Sequence, residues 1–580
     1  MKRQRPPAYP EIEAVRLVWL AIFVSVFSFL FYQRQGDVLL YGDAVAHINI
    51  ARRIFDSKTP GILQLGTVWL PLPHLLILPF IISTRMWQTG TGGSIPSLAG
   101  YVFGVLGIFR LVRTIVRSED RRVVAEAADT AQKAALFDSR GGVLPWAAAI
   151  LYAANPNLIY MQATAMGESL YLAFFIWAVA HFADFVWPKP ANQTDKQTAV
   201  VNKPDRSLLK CGLCLFAACL TRYDGWFLAA ALVVAAAVVA IVRFRSSSRR
   251  ASGMVIAAFF ALAVAGPILW IAYNAAVYSN PLEFANGPYS ARAIEQKTGT
   301  VNQAKGSLIA AGSYFLKAAE LNAGQATWEG RLWLILAVLG SLAAMFYKRA
   351  RITLLLWAPL PFYAISIAYG SIPIFVSTWW PFSNYNVRYG LELLPVFAVF
   401  VPAALSFLIG KILELPSINN SWRRWQPAAA FLLVIGLAIV NYSAIWRHDP
   451  ICYREASENN RGRIALEKQL ADWFQRFPPN ATLLMYLGEH SGALEDAAIP
   501  LRRVINEGNH RTWKQPSDPE GLWERALADP AAYCDIAIGF EGDPVWKSAR
   551  EHNLAALVEI HTTGQAAAAI FPTHGIAPPR

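Results

Sequence analysis

Apolar residues along this chain come in near-continuous runs separated by short polar and charged segments, not at the three-to-four spacing of a half-buried helix. A run of about 20 residues is what an α-helix needs to cross a hydrocarbon core roughly 30 Å thick. Such windows centre on 14–33, 96–116, 143–163, 167–187, 223–242, 253–278, 330–347, 352–370, 391–413 and 427–446. A shorter one at 207–221, flanked by Arg206 and Arg222, also reads as a span. The pattern predicts a polytopic α-helical membrane protein with about 11 transmembrane helices.

The segment 67–83 is apolar enough to cross but holds Pro71, Pro73 and Pro79 together with His74. Interior prolines remove backbone donors and clash with the preceding turn. Charge decides between the topologies. If 67–83 lies on the surface, the basic loops 117–142, 189–206, 243–250, 348–351 and 411–424 all fall on one side, which the positive-inside rule makes the cytoplasm. The N-terminus, with Lys2, Arg3 and Arg5 ahead of an uncleaved first span, is then cytoplasmic as well. Residues 34–95 become one long external loop, and 279–329, 371–390 and everything after about 447 are also external. The chain thus divides into a transmembrane module, 1–446, and a soluble extracytoplasmic domain, 447–580. In the latter a helix over 461–477 and strands at 482–486, 503–505, 535–539 and 556–560 predict a small C-terminal α/β domain. Compact loops suit a bacterial inner (plasma) membrane.

Composition agrees with lipid as the solvent: 55% hydrophobic and 16% charged residues, and a mean hydropathy of +0.33. The net charge of +13 would suit nucleic acid, but the basic residues sit between apolar runs, so no nucleic-acid partner is expected. Cys211, Cys214 and Cys219 share one apolar run and read as lipid-facing packing residues, while Cys452 and Cys534 leave a disulfide in the tail open.

Candidate chemistry gathers on the external face. Tyr41-Gly42-Asp43-Ala44-Val45-Ala46-His47 follows the first span and opens a helix over 44–55. Asp43 and His47, four residues apart, share a face; Asp43 reads equally as an N-cap. Glu168 opens the helix 167–187 in an apolar setting. A carboxylate at membrane depth costs about 3 kcal/mol and usually meets water or a partner. Arg222, in the tight hairpin Thr221-Arg222-Tyr223-Asp224, and Arg388, in Asn386-Val387-Arg388-Tyr389-Gly390, both stand ahead of helices. There a guanidinium and the helix dipole together suit phosphate; each also reads as an interfacial arginine with an aromatic partner. A sugar on a polyprenyl phosphate leaves as an anion, which needs cations, and the acceptor hydroxyl needs a base. Trp379, Trp380, Tyr385 and Tyr389 suit stacking on a sugar.

An acid after the first span, an amphipathic external loop, a second acid opening the fourth helix and an Arg-Tyr motif before a late helix resemble the GT-C superfamily over roughly 10–450. The closest look is to the protein-mannosyltransferase-like branch (glycosyltransferase family 39) and to aminoarabinose-type transferases. The resemblance implies inverting transfer from a polyprenyl-phosphate sugar donor in the membrane lipid to an extracytoplasmic glycolipid, glycan or protein acceptor. It implies catalytic roles for Asp43 and Glu168 and phosphate binding by Arg388 and, more weakly, Arg222. Tyr389, His47 and His74 join the substrate-binding candidates, although the family supplies no role for the two histidines. The motif here is Gly-Asp-Ala where the family carries an Asp-Glu doublet. No cofactor is expected; a divalent-cation site at Asp43, His47 and Glu168 stays open. The rival readings are a transporter or flippase of lipid-linked glycans, which would carry polar residues at the midplane and repeated halves, and a catalytically inert receptor.

Overall fold

The computed structural model describes residues 9–126, 143–187, 206–243, 249–298, 301–415, 422, 425–488, 490–509 and 520–574. Most of the basic loops that set the expected orientation (within 117–142, 189–206, 243–250 and 411–424) lie outside the described residues. Among the described residues nine helices are long and apolar enough to cross a membrane: Ile12–Gln35, Thr91–Val116, Glu168–Val186, Asp224–Ile241, Gly253–Tyr278, Thr327–Phe346, Ala350–Tyr369, Val387–Leu413 and the apolar front of Gln426–Phe474. The other two expected spans are present as shorter helices. The 143–163 run breaks into Val143–Ala153 and Pro156–Gln162, because Asn155 caps the second piece (its Oδ1 accepts from Leu158 N at 3.0 Å) and Pro156 starts it. The 207–221 run is Arg206–Cys219, 14 residues or about 21 Å at the helical rise.

Lipid offers no hydrophobic drive between helices, so close backbone approach has to hold the bundle. Glycines provide it. A Cβ on Gly100 would come within 2.7 Å of the Leu170 backbone, and one on Gly225 within 2.6 Å of Ala218. Glu168–Val186 is the bundle's central helix, 89% buried, whereas Gly253–Tyr278 is 22% buried and faces lipid. Cys211 and Cys219 are buried between helices instead of facing lipid; the small side chain of Cys219 sits 2.7 Å from where a Cβ on Gly266 would be. No cysteine is paired: Cys452 Sγ lies 3.3 Å from Asn322 Oδ1, and Cys534 Sγ 3.2 Å from the Pro530 carbonyl.

The segment after the first helix leaves and returns at one level. Gly90, just before the helix Thr91–Glu126, stands where a Cβ would meet Val38 and Leu39 at 2.9 Å. Between these points run the helices Gly42–Arg53, Pro71–Ile77 and Thr84–Gln88. The proline-rich piece is a two-turn helix with Pro71 in its first turn, clamped onto the bundle by Leu72 N→Leu220 O (3.0 Å) and Tyr223 Oη→Val68 O (2.9 Å).

An apolar helix, Leu308–Ala323, occupies the middle of what reads in sequence as the external loop 279–329. Its N-terminal end meets Ala368, at the end of the helix Pro359–Tyr369, and its C-terminal end meets Val387 (Gly306 N→Ala368 O, 2.9 Å; Asn322 Nδ2→Val387 O, 2.8 Å). Asn155 and Asn157 both donate to the Asn322 carbonyl, at 2.9 and 3.2 Å. The helix therefore wedges the turn that carries Arg388.

The C-terminal region begins with the helix Ile451–Phe474 and a five-stranded sheet of β1 (Leu483–Met485), β2 (Val504–Ile505), β3 (Ile536–Phe540), β4 (Val558–Ile560) and β5 (Ala568–Pro572). Strand order is β2-β1-β3-β5-β4; β1 is parallel to β2 and β3, and β5 antiparallel to β3 and β4. This region is bonded directly to the first loop: Arg463 Nη2→Leu40 O (2.9 Å), Tyr41 Oη→Cys452 O (2.9 Å), Asn49 Nδ2→Glu495 Oε2 (3.1 Å) and Arg502 Nη1→Asp56 Oδ1 (3.2 Å).

Candidate active site

The helix Gly42–Arg53 starts two residues earlier than the N-cap reading of Asp43 requires. Tyr41 is the cap, Asp43 lies in the first turn, and its carboxylate caps nothing. Asn460 Oδ1 stands 3.4 Å and Arg463 Nε 3.7 Å from where a Cβ on Gly42 would be, ordinary contact distances that place the tail helix directly against the loop. The helix Ile451–Phe474 thus closes over the loop and turns Asp43 inward.

Asp43 meets Arg388, with Oδ2 2.6 Å from Nη2. Arg388 is gripped by carboxylates from three distant parts of the chain. Nη1 donates to Glu455 Oε1 at 3.1 Å, and Nε lies 3.3 Å from Glu168 Oε1. Local geometry aims it there. Asn386 adopts a left-handed conformation (φ 57°) that asparagine tolerates, its amide holding Pro373 O at 2.9 Å, and Val387 N donates to Glu455 Oε2 at 2.6 Å. The 3-10 turn Val387–Leu393 then feeds the helix Leu394–Leu413.

Arg222 sits in the hairpin between Arg206–Cys219 and Asp224–Arg243. It donates to Glu168 Oε1 (3.1 Å), Asp224 Oδ2 (3.2 Å) and the Tyr363 hydroxyl (2.8 Å), and its Nε is 3.4 Å from Glu392 Oε1. The Tyr363 hydroxyl in turn donates a hydrogen bond to Asp224 Oδ2 at 3.2 Å. Glu168 Oε1 is therefore shared by both arginines. The Tyr389 ring lies between them, 5.0 Å from the Arg222 guanidinium carbon and 5.1 Å from that of Arg388. Tyr41 covers Arg388 from another side at 5.0 Å.

Two guanidiniums thus face five carboxylates: Asp43, Glu168, Asp224, Glu392 and Glu455. Four of these carboxylates are 1–2% exposed, whereas the Asp43 side chain is 38% exposed. Buried ion pairs persist only when their geometry repays desolvation; here Arg388 Nη1 and Nη2 are both hydrogen-bonded, while its Nε lies beside Glu168 without a hydrogen bond. Asp43 alone offers a face to substrate.

His47 and His74 are brought together as a pair. His47 Nδ1 is 2.8 Å from His74 Nε2, both residues are buried, and the His47 ring packs 4.9 Å from Trp69. Burial pushes the His47 pKa below its usual 6.5, although the Asp43 and Glu168 charges oppose it. Burial pushes that of His74 well below, with the His47 and Arg53 charges adding. Both rings are neutral at pH 7 and one proton lies between them.

The seven residues singled out in sequence form two adjoining groups. Asp43, Glu168, Arg222, Arg388 and Tyr389 make one network, and His47 with His74 stand beside it, one helical turn from Asp43. Asp43 and Glu168 have Arg388 between them and His47 is turned toward His74, so these three do not fit a shared cation. Among the described residues no three His, Cys, Asp or Glu side chains are grouped to hold a metal ion. Sequence reading missed Asp224, Glu392, Glu455, Tyr41 and Tyr363. Asp224 and Glu392 were legible as acids within two and four residues of Arg222 and Arg388. Glu455 carried no such signal, since its place depends on the tail folding back on the bundle.

No family model matches the chain, and no curated protein matches it. Solved structures do. ArnT from Cupriavidus metallidurans bound to undecaprenyl phosphate aligns with a TM-score of 0.52 at 12% identity, covering 98% of this chain and 99% of that one. Its apo form gives 0.51 at 13% identity over 96% and 98%. The apo oligosaccharyltransferase of Archaeoglobus fulgidus aligns at 0.45 and 14% identity, over 91% and 69%. At these identities the likeness to ArnT is one of fold. It runs through the C-terminal sheet as well as the bundle, and the fold is the GT-C membrane fold.

Proposed function

We propose that the chain is a membrane glycosyltransferase that moves a sugar from a polyprenyl-phosphate donor to an extracytoplasmic acceptor, inverting the anomeric centre. The reading rests on one observation above the rest: of five carboxylates around two buried arginines, only Asp43 is open to substrate. The acceptor oxygen attacks the anomeric carbon while the bond from that carbon to the phosphate oxygen breaks. The polyprenyl phosphate leaves with the bonding electrons, and the acceptor proton goes to Asp43. The leaving group is a stable anion, so it needs charge and no proton donor.

Arg388 couples binding to chemistry. Asp43 already occupies its Nη2 at 2.6 Å, so an arriving phosphate competes for that edge. A carboxylate released from a guanidinium is a stronger base; the donor thereby activates the group that deprotonates the acceptor. Glu168, Asp224, Glu392 and Glu455 hold the two arginines and do not touch substrate. The exposed rings of Trp380 and Tyr385, 46% and 44% accessible, suit stacking against the sugar. The active face lies on the non-cytoplasmic side of a bacterial plasma membrane, an orientation that rests on the positive-inside rule.

Asp43→Asn in proteoliposomes tests this reading against a flippase. The variant is expected to bind donor and lose about 10²–10⁴-fold in sugar release. Sugar release at the wild-type rate would contradict it, as would transbilayer movement of the donor by wild type and variant alike without release.

A further inference from the structure

Two arginines end the first-loop helix, and the fold treats them oppositely. Arg52 is a structural residue: Nε donates to Asp56 at 2.9 Å, Nη1 reaches the Ile82 carbonyl at 3.2 Å, and the guanidinium lies 5.0 and 4.9 Å from the Phe55 and Trp87 rings. Arg53 makes no hydrogen bond among the described residues, although its side chain is only 14% exposed and its Nε is buried. Its nearest charge, Glu507 Oε1, stands 3.7 Å from Nη1, too far to bond. Of the five N–H donors a guanidinium carries, the one on Arg53 Nε is withdrawn from water without a partner, which is costly.

The surroundings have the form of a cradle. Gln64, 4% exposed, gives its Nε2 to the Thr59 and Gly508 carbonyls, both at 2.9 Å, which fixes the amide's orientation. Its Oε1 is buried and accepts no hydrogen bond among the described residues. A Cβ on Gly508 would stand 2.8 Å from that oxygen and 3.6 Å from Arg53 Nη1, so a side chain there would fill the space. Glu507 is held back from Arg53 because its Oε2 accepts from Leu487 N at 2.9 Å. Tyr289 borders the same place; burial pushes its hydroxyl up to about 12, with Glu507 adding and Arg53 opposing. Leu487 and Glu507 each lie two residues beyond the carboxyl ends of the parallel strands β1 and β2, the edge at which open α/β sheets receive ligands.

We infer that Arg53, Gln64 and Gly508 form an oxyanion site between the first loop and the C-terminal sheet, which takes an anionic, hydroxyl-bearing group of the acceptor. Arg53 pairs with the oxyanion, and Gln64 Oε1 accepts from a neighbouring hydroxyl. Arg53 is ten residues beyond Asp43 on one helix, roughly 15 Å along its axis. The acceptor is therefore an extended glycan or glycolipid whose anionic group is distant from its reacting hydroxyl. The inference rests on the glycosyltransferase reading only in calling that group part of the acceptor.

The test is binding, measured without donor on the full chain in phosphatidylcholine nanodiscs. One arm titrates glucose 6-phosphate, with glucose as the neutral control, by ³¹P line broadening. The other dopes the disc with phosphatidic acid and scores retained lipid by native mass spectrometry. The arm that responds tells whether the oxyanion comes from a soluble glycan or a lipid headgroup. Arg53→Gln is expected to weaken binding at least about tenfold, as loss of a charge-assisted pair does. Glu507→Gln removes the competing charge and is expected to strengthen it; that opposite sign separates the effect from misfolding. Binding in neither arm overturns the site, as does Arg53→Gln binding like wild type, or loss on Arg388→Gln with none on Arg53→Gln. If wild type releases no polyprenyl phosphate from any donor, the transferase reading falls and the oxyanion site stands or falls by these titrations.

Discussion

Replacing Arg388 by lysine keeps the charge and removes the fork. Arg388 uses three separate nitrogens for three carboxylates: Nη2 on Asp43 at 2.6 Å, Nη1 on Glu455 at 3.1 Å and Nε beside Glu168 at 3.3 Å. These carboxylates approach from different elements, so one ammonium on a flexible stem holds one of them and releases two. Each charge-assisted contact is worth about 1.5–3 kcal/mol. The loss is then about 3–6 kcal/mol, or about 10²–10⁴ in rate. The fold should survive, because Glu168 keeps Arg222 and Glu455 keeps the Val387 amide and the Tyr41 hydroxyl. The assay is the initial rate of polyprenyl-phosphate release by purified protein, with the thermal midpoint as a control on folding. Arg388→Lys is expected to fall within about tenfold of Arg388→Gln, since the fork and not the charge alone is used. Arg388→Lys turning over within about threefold of wild type at an unchanged midpoint would refute the reasoning.

Other outcomes follow from the same contacts. Glu455→Gln keeps an acceptor for the Val387 amide and loses the charge on Arg388, so donor release should fall about tenfold with little change in midpoint, the scale of one charged hydrogen bond. His47 and His74 titrate below their usual 6.5 because burial opposes their protonation. As pH falls below 6.5 the unfolded chain takes up protons that the folded pair refuses, so stability is full above that value and drains below it. A thermal midpoint series from pH 8 to 5 should show this loss, and His74→Gln should flatten it. Glu495 runs the other way: burial pushes its carboxyl well above the usual 4.5, against a hydrogen bond from Asn49. The unfolded chain ionises above 4.5 while the folded site holds its proton, so stability declines with rising pH. Glu495→Gln should raise the midpoint at pH 8 and leave it unchanged near pH 4.5; an equal shift at both values would show that ionisation is not the cause.

How much was legible in the sequence follows the range of each interaction. Spans announce themselves locally, because lipid demands an unbroken apolar run, and all eleven expected runs correspond to helices. The break at Asn155-Pro156 was also local, a capping residue followed by a proline, but hydropathy smooths over it. Leu308–Ala323 escaped notice since Lys317 and Glu320 interrupt its run, and those charges neutralise each other at 3.0 Å only once the helix has formed. Strand β5 lies in an alanine-rich stretch whose composition favours helix; pairing with β3 and β4 overrides it. The acids and arginines of the candidate site stood out because charge at a membrane boundary is rare. Their mutual contacts did not, since a motif at one helix end says nothing about which other helix end it will meet. Glu455 is the clearest case: it reaches Arg388 from 67 residues away, through a tail that has to dock first.

The most direct measurement of the central claim is incubation of the purified protein with a panel of polyprenyl-phosphate sugars, scoring the free lipid phosphate. The account predicts release from at least one donor, lost in Asp43→Asn and in Arg388→Gln, with the transferred sugar of inverted configuration. Folded protein that releases lipid phosphate from none of them, or releases it equally well without Asp43, would contradict it.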